Sequence, residues 1–167
     1  MISAALGISA GLSPQGFAPF RDANGLSQPV RLKNLLTEVA KRSATGQGQL
    51  FSLRKGIGLV ATGSVYGKEV APEQPVGYKR VEAGQLVMNR MRASTGLFGV
   101  APSDGLVSPD YAVYRVSPQV DPEFLVAVLR LPQFGAVIRA NSKGLGTGAS
   151  GFMRVYSEQL GQLTVPV

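Results

Sequence analysis

The chain has 167 residues, enough for one domain with a substantial core. It contains neither Cys nor His, which excludes disulfides, thiolate chemistry, a Ser-His-Asp triad and the common zinc sites. Net charge is +7, and the excess sits in residues 1–100, with 12 Lys or Arg against 5 Asp or Glu, whereas 101–167 hold 5 of each. That balance suits a polyanionic partner such as DNA or RNA, and it also suits ordinary solubility charge.

The apolar opening MISAALGISAGL has no Lys or Arg before Arg21, so it lacks the basic region of a secretory signal. No stretch reaches the roughly 20 apolar residues of a membrane span, and a cytoplasmic protein is expected. Residues 1–28 mix Gly, Pro, Ser and Asn without a period and read as a loosely ordered leader, with a single domain over 29–167. In VRLKNLLTEVAKRS, Leu32, Leu35, Leu36 and Val39 recur at helical spacing, which predicts a short amphipathic helix with a basic last turn. LFSLRKGIGLVATGSVY predicts two short strands with a tight or bulged connection, and Pro72 and Pro75 place a loop over 67–77.

A turn at Glu82-Ala83-Gly84 precedes a strand at Gln85 to Met88, and a second turn at Pro102 to Gly105 leads to a strand over Asp110 to Val116. Asp121-Pro122-Glu123 is a strong helix start, pairing an N-cap acceptor with proline at the first helical position. That helix runs to Leu131, Pro132 interrupts it, and Gln133 to Ala140 forms a second. The glycine-rich NSKGLGTGASG follows, and Leu160 to Val167 is expected as a last strand stopping at Pro166. The fold expected is mixed α/β, a small, mostly antiparallel twisted sheet with a few short helices.

Motifs of chemistry are weak. Gly146-Thr-Gly148-Ala-Ser-Gly151 fits the dinucleotide fingerprint, but no buried strand precedes it and no βαβ unit follows. Ser108-Pro-Asp-Tyr111 superficially resembles the Asp/Asn-Pro-Pro-Tyr loop of amino methyltransferases, yet Asp110 replaces the second proline and no methyl-donor pocket is visible upstream. Pro109-Asp110 would also open a metal nuclease motif, but no later acidic-x-Lys follows to hold a cation. Asp121 and Glu123 are caps and not an acid-base pair. An enzyme in its own right is therefore disfavoured, and no cofactor or metal is expected. Lys55, Lys68, Arg90, Arg92, Arg139 and Lys143 lie in or beside loops and, with Asn89, Asn141 and Ser142, make up the DNA-binding set. For any one of these cations a solvated surface charge is an equal reading.

The segments YKRVEAGQLVMNRMRASTGLFGVAPSDGLVSPDYAVYRV, DPEFLVAVLRLPQF and NSKGLGTGASGFMRVYSEQLGQLTVPV, in this order, resemble a target recognition domain from the specificity (S) subunit of type I restriction-modification enzymes. The similarity covers about Val30 to Val167. It implies a noncatalytic reader of one half of a split duplex DNA target, working with methyltransferase (M) subunits and, through them, the restriction (R) subunit, and pairing with a second copy or another half-subunit. The family continues into a spacer helix where this sequence stops at LTVPV, so a truncated or half-subunit form is expected. The alternative is an orphan interaction module or a decoy that binds the methyltransferase subunit.

In NRMRASTGLFG, Arg suits guanine O6 and N7, and Asn suits adenine N6 and N7. If the strand continued past Asn89, Arg90 and Arg92 would face one side, and Asn89 and Met91 the other. Whether either arginine meets a base or a phosphate is open at this point.

Overall fold

The computed structural model describes residues 12–13, 16–17, 29–62, 75–142 and 154–166. These residues form a mixed α/β arrangement of short, mostly antiparallel strands with three α-helices among them. Strands β1 (Leu12–Ser13) and β2 (Gly16–Phe17) fall within the stretch expected as a leader. Then come β3 (Pro29–Arg31), β4 (Leu36–Val39), β5 (Phe51–Arg54), β6 (Gly58–Ala61), β7 (Lys79–Val81) and β8 (Leu86–Asn89). Strands β9 (Phe98–Val100), β10 (Gly105–Val107) and β11 (Tyr111–Val116) precede helices α1 (Pro122–Leu129), α2 (Pro132–Asn141) and α3 (Ser157–Gln162), and β12 (Thr164–Pro166) closes the fold.

The central sheet has the order β4-β11-β8-β9, each pair antiparallel. Because side chains alternate along a strand, this sheet serves two cores. Leu36, Leu86, Met88, Ala112 and Tyr114 face the helices, where they meet Leu125, Leu129, Phe134, Ile138 and Leu160. Val87 and Val113 face the other way, onto Phe51, Leu53 and Leu59 of the β5–β6 hairpin and onto Val81 and Val107 of the β7–β10 pair. A further sheet in the order β1-β2-β12-β3 contains the one parallel pairing among the described strands, β2 with β12.

The helix expected over Val30 to Ser43 does not form. Its place is taken by β3, a single 3₁₀ turn at Leu32–Asn34, and β4. Leu32, Leu35 and Leu36 are buried as the spacing requires. Long-range backbone bonds decide the conformation, however: the Leu32 amide donates to the Leu163 carbonyl at 2.9 Å, the Ser117 amide to the Leu35 carbonyl at 2.8 Å, and Leu36–Val39 pairs with Val113–Val116. The β-branched Thr37 and Val39 suit that edge position.

The expected hairpin strands around Lys55, the strand at Gln85 to Met88, the strand at Tyr111–Val116 and the two helices broken at Pro132 are all present. Asp121 caps α1 as its position predicts, its Oδ1 accepting the Phe124 amide at 3.0 Å. The expected last strand is shorter: Leu160 belongs to α3, and only Thr164–Pro166 is extended. Gln159 Oε1 accepts the Tyr156 amide at 2.9 Å and so fixes the first turn of α3. Most of the proline loop and of the glycine-rich segment, including the fingerprint-like glycines, lies outside the described residues. Among the described residues no helix is long and apolar enough to cross a membrane.

Candidate nucleic-acid interface

The register of the central sheet brings the end of β4, the end of β8 and the start of β11 to one edge, with Tyr111 opposite Asn89 and Val113 opposite Val39. The chain leaving β4 carries Lys41 and Arg42, and the chain leaving β8 carries Arg90 and Arg92. Lys79 pairs by an isolated bridge with Arg42, and its Nζ donates to the Tyr111 carbonyl at 2.5 Å. The backbone joins in as well, since the Val155 amide donates to the Arg90 carbonyl at 2.9 Å. This sets Arg154 and Tyr156 beside the same edge. The result is a basic end of the sheet, with Glu38 and Asp110 as its acids.

The charges there interact. Burial holds the Lys79 ammonium below the usual lysine range, and the nearby Arg90, Arg42 and Arg154 guanidiniums push it the same way, with Glu38 opposing. Arg90 is 8% exposed. Its Nη2 donates to Glu38 Oε1, and its guanidinium carbon stands 5.8 Å from the centroid of the Tyr156 ring. The other oxygen of Glu38 accepts from Ser157 Oγ, which leaves Ser157 Oγ to accept from the Tyr114 hydroxyl at 2.8 Å. Glu38 and Tyr114 are direct cross-strand partners. One carboxylate thus ties β4, β8, β11 and the start of α3 together.

The strand-like continuation imagined for NRMRASTGLFG does not occur. Strand β8 stops at Asn89, whose Oδ1 accepts the Met91 amide at 3.0 Å, and the chain turns into a 3₁₀ turn at Ala93–Thr95. Arg90 therefore continues the helix-facing row of Leu86 and Met88, whereas Arg92 is exposed at the turn. Gly96 takes φ 82° to end that turn.

Lys55 is exposed in the β5–β6 turn. Arg139 is exposed on α2 and donates to the Ser94 carbonyl at 3.2 Å, while Asn141 Nδ2 donates to the Val137 carbonyl at 2.8 Å. Ser142 is buried and donates to the Ile138 carbonyl at 2.6 Å. Lys68 and Lys143 lie outside the described residues. Sequence reasoning missed Arg42, Lys79, Arg154 and Tyr156. The signal present for the last two was the interleaving of basic and aromatic residues in MRVYSE.

Other concavities offer less. A cleft of about 230 Å³ lined by Gln47, Arg80, Glu82, Asp104 and Leu106 is smaller than ordinary ligand pockets of roughly 300–1,000 Å³. Among the described residues no three acidic side chains gather as a metal site.

These features define a small mixed α/β domain with a basic sheet end. The structure shares its fold with the HsdS subunit from Thermoanaerobacter tengcongensis, at a TM-score of 0.52 and 16% identity, covering 90% of this chain and 35% of that one. A second solved chain, from work on complex assembly and conformational transition of the type I R-M system, aligns at a TM-score of 0.50 and 14% identity over 99% of this chain and 38% of its own. The likeness is one of fold, to about a third of an HsdS subunit. The chain spans little more than a third of the length of either solved chain. No family model matches the sequence, and no curated protein matches it.

Proposed function

We propose that this chain reads duplex DNA as one target recognition domain of a type I restriction-modification specificity subunit, a noncatalytic role in which methylation and cleavage belong to partner subunits. The observation that carries this reading is the gathering of Arg42, Lys79, Arg90 and Arg154 at one end of the central sheet, next to the exposed Arg92. Like charges held together cost free energy in the unbound domain, and a row of phosphates removes that cost while releasing counterions. Arg92 is the side chain best presented for base readout, because its turn is anchored on the rigid end of β8.

In this reading Arg90 holds the site together from below, and Lys55 of the β5–β6 turn and Arg139 of α2 contribute phosphate contacts, as do Lys68 and Lys143. The unit acting as the reader is residues 29–167. Its partners are the methyltransferase subunits and, through them, the restriction subunit.

Fluorescence anisotropy with a labelled random-sequence duplex over a range of salt concentrations tests the reading. Binding whose log affinity falls linearly with log salt is expected. No binding even at low salt would overturn it. Co-purification with methyltransferase subunits, strengthened by DNA, is the expected result for the partnership.

A further inference from the structure

We infer that Arg154 is a DNA phosphate contact whose place is held in the unbound chain by the carboxylate of Asp110. The inference rests on the duplex-binding reading and names a residue and an internal competitor within it. Three observations support it.

The Arg154–Asp110 contact is a poor ion pair. It has a single Nη2 to Oδ1 approach of 3.4 Å, with side chains 39% and 69% exposed. Pairs of this kind are held weakly, so a better acceptor displaces the carboxylate readily. A phosphate free to settle over the guanidinium takes two parallel N–H bonds, where the Asp110 carboxylate takes one.

The guanidinium of Arg154 is nevertheless not free to wander. Its carbon stands 5.8 Å from the centroid of the Tyr156 ring, and that ring is itself in contact with Arg90, which Glu38 holds in place. Tyr156 is 46% exposed, so the platform is open to solvent. A planar cation kept near an aromatic ring loses less entropy when it binds.

The surroundings favour an anion larger than one carboxylate. Arg154, Arg90 and Arg42 all act on the Lys79 ammonium, and Glu38 alone opposes them. Asp110 meets only one of these cations, Arg154, and by a single contact of 3.4 Å. It stands in for the ligand in the absence of DNA, and its replacement by phosphate leaves the carboxylate free in water.

The test is anisotropy with the labelled random-sequence duplex on the wild-type chain and four variants. Arg154→Ala is expected to weaken binding and to reduce the salt slope by about one. Asp110→Asn is expected to strengthen binding by up to about fivefold, and that gain is expected to vanish when Arg154→Ala is also present. Asp104→Asn, which removes an exposed carboxylate that accepts the Ala83 amide elsewhere on the surface, should leave affinity nearly unchanged. Asp110 is exposed, so its variant reports on binding even if Arg154→Ala folds poorly. If the wild-type chain binds the duplex and Arg154→Ala keeps its slope, or the Asp110→Asn gain survives without Arg154, this inference fails and the reading of function stands. If the wild-type chain does not bind, both fail.

Discussion

Glu38 and Arg90 stand 52 residues apart in sequence and meet as an ion pair at the edge of the central sheet. The pair is more than two surface charges that happen to meet. Arg90 is nearly buried, and Glu38 also accepts from Ser157, whose hydroxyl in turn accepts from Tyr114. Removing either member strands the other. Arg90→Ala and Glu38→Ala are each expected to destabilise the fold by about 1–3 kcal/mol, below the cost of breaking a fully buried pair because Glu38 keeps some access to water. Urea unfolding measures this, and unchanged midpoints in both variants would show that the pair is idle. Since Arg90 acts as a support, its variant should retain the wild-type salt slope for DNA.

Arg92 should behave differently. Its loss is expected to weaken duplex binding. A phosphate role lowers the salt slope by about one, and a base-reading role costs about 1–3 kcal/mol of discrimination with the slope kept. Binding unaltered in both respects would remove Arg92 from the interface.

Gly135 tests the packing of α2 on the Ala93–Thr95 turn. A Cβ there would lie 2.2 Å from the Ser94 carbonyl oxygen, a backbone atom that cannot step aside alone. Gly135→Ala is thus expected to destabilise by about 1–3 kcal/mol, even though alanine in a helix interior is ordinarily favoured over glycine by about 1 kcal/mol. A rise in thermal midpoint would contradict the close approach.

Tyr114 gives a pH dependence. Burial pushes its phenol up to about 12 from the usual value of 10, with the Glu38 carboxylate adding to the rise and the Arg90 guanidinium opposing it. The folded state therefore holds the proton more tightly than the unfolded chain. The stability this provides is complete below the unfolded value and is lost as pH rises through the interval up to the folded one. Two units correspond to at most about 3 kcal/mol. Tyr114→Phe should lack this loss, so the stability difference between wild type and variant should shift toward the variant in strongly alkaline solution. Parallel curves would refute it.

Elements announced by adjacent residues were legible in the sequence. Asp121-Pro122 starts α1 because the capping acceptor and the fixed proline dihedral act within one turn, and Pro132 separates the helices for the same local reason. The stretch around Leu32 to Val39 was not legible as strand. Its leucines were recognisably core, but their spacing satisfies a helix, and the partner that makes it extended, β11, lies more than seventy residues away. The same limit applies to the site. Arg90 and Arg92 stood out as a basic pair at a strand end, yet their division into a support and an exposed cation depends on where β8 stops. Arg154 and Asp110 become neighbours only after β8, β11 and the α3 approach have found their register. The short strands β7, β9 and β10 lacked a hydrophobic alternation long enough to read.

Strands β3 and β12 lie side by side, with Pro29 opposite Pro166 and Arg31 opposite Thr164. Pro29 and Pro166 therefore stand one strand spacing apart, and β12 is flanked on its other side by β2. Segments far apart in sequence are thus tied to one another through a single three-residue strand, and loss of β12 would release β2 and β3 together.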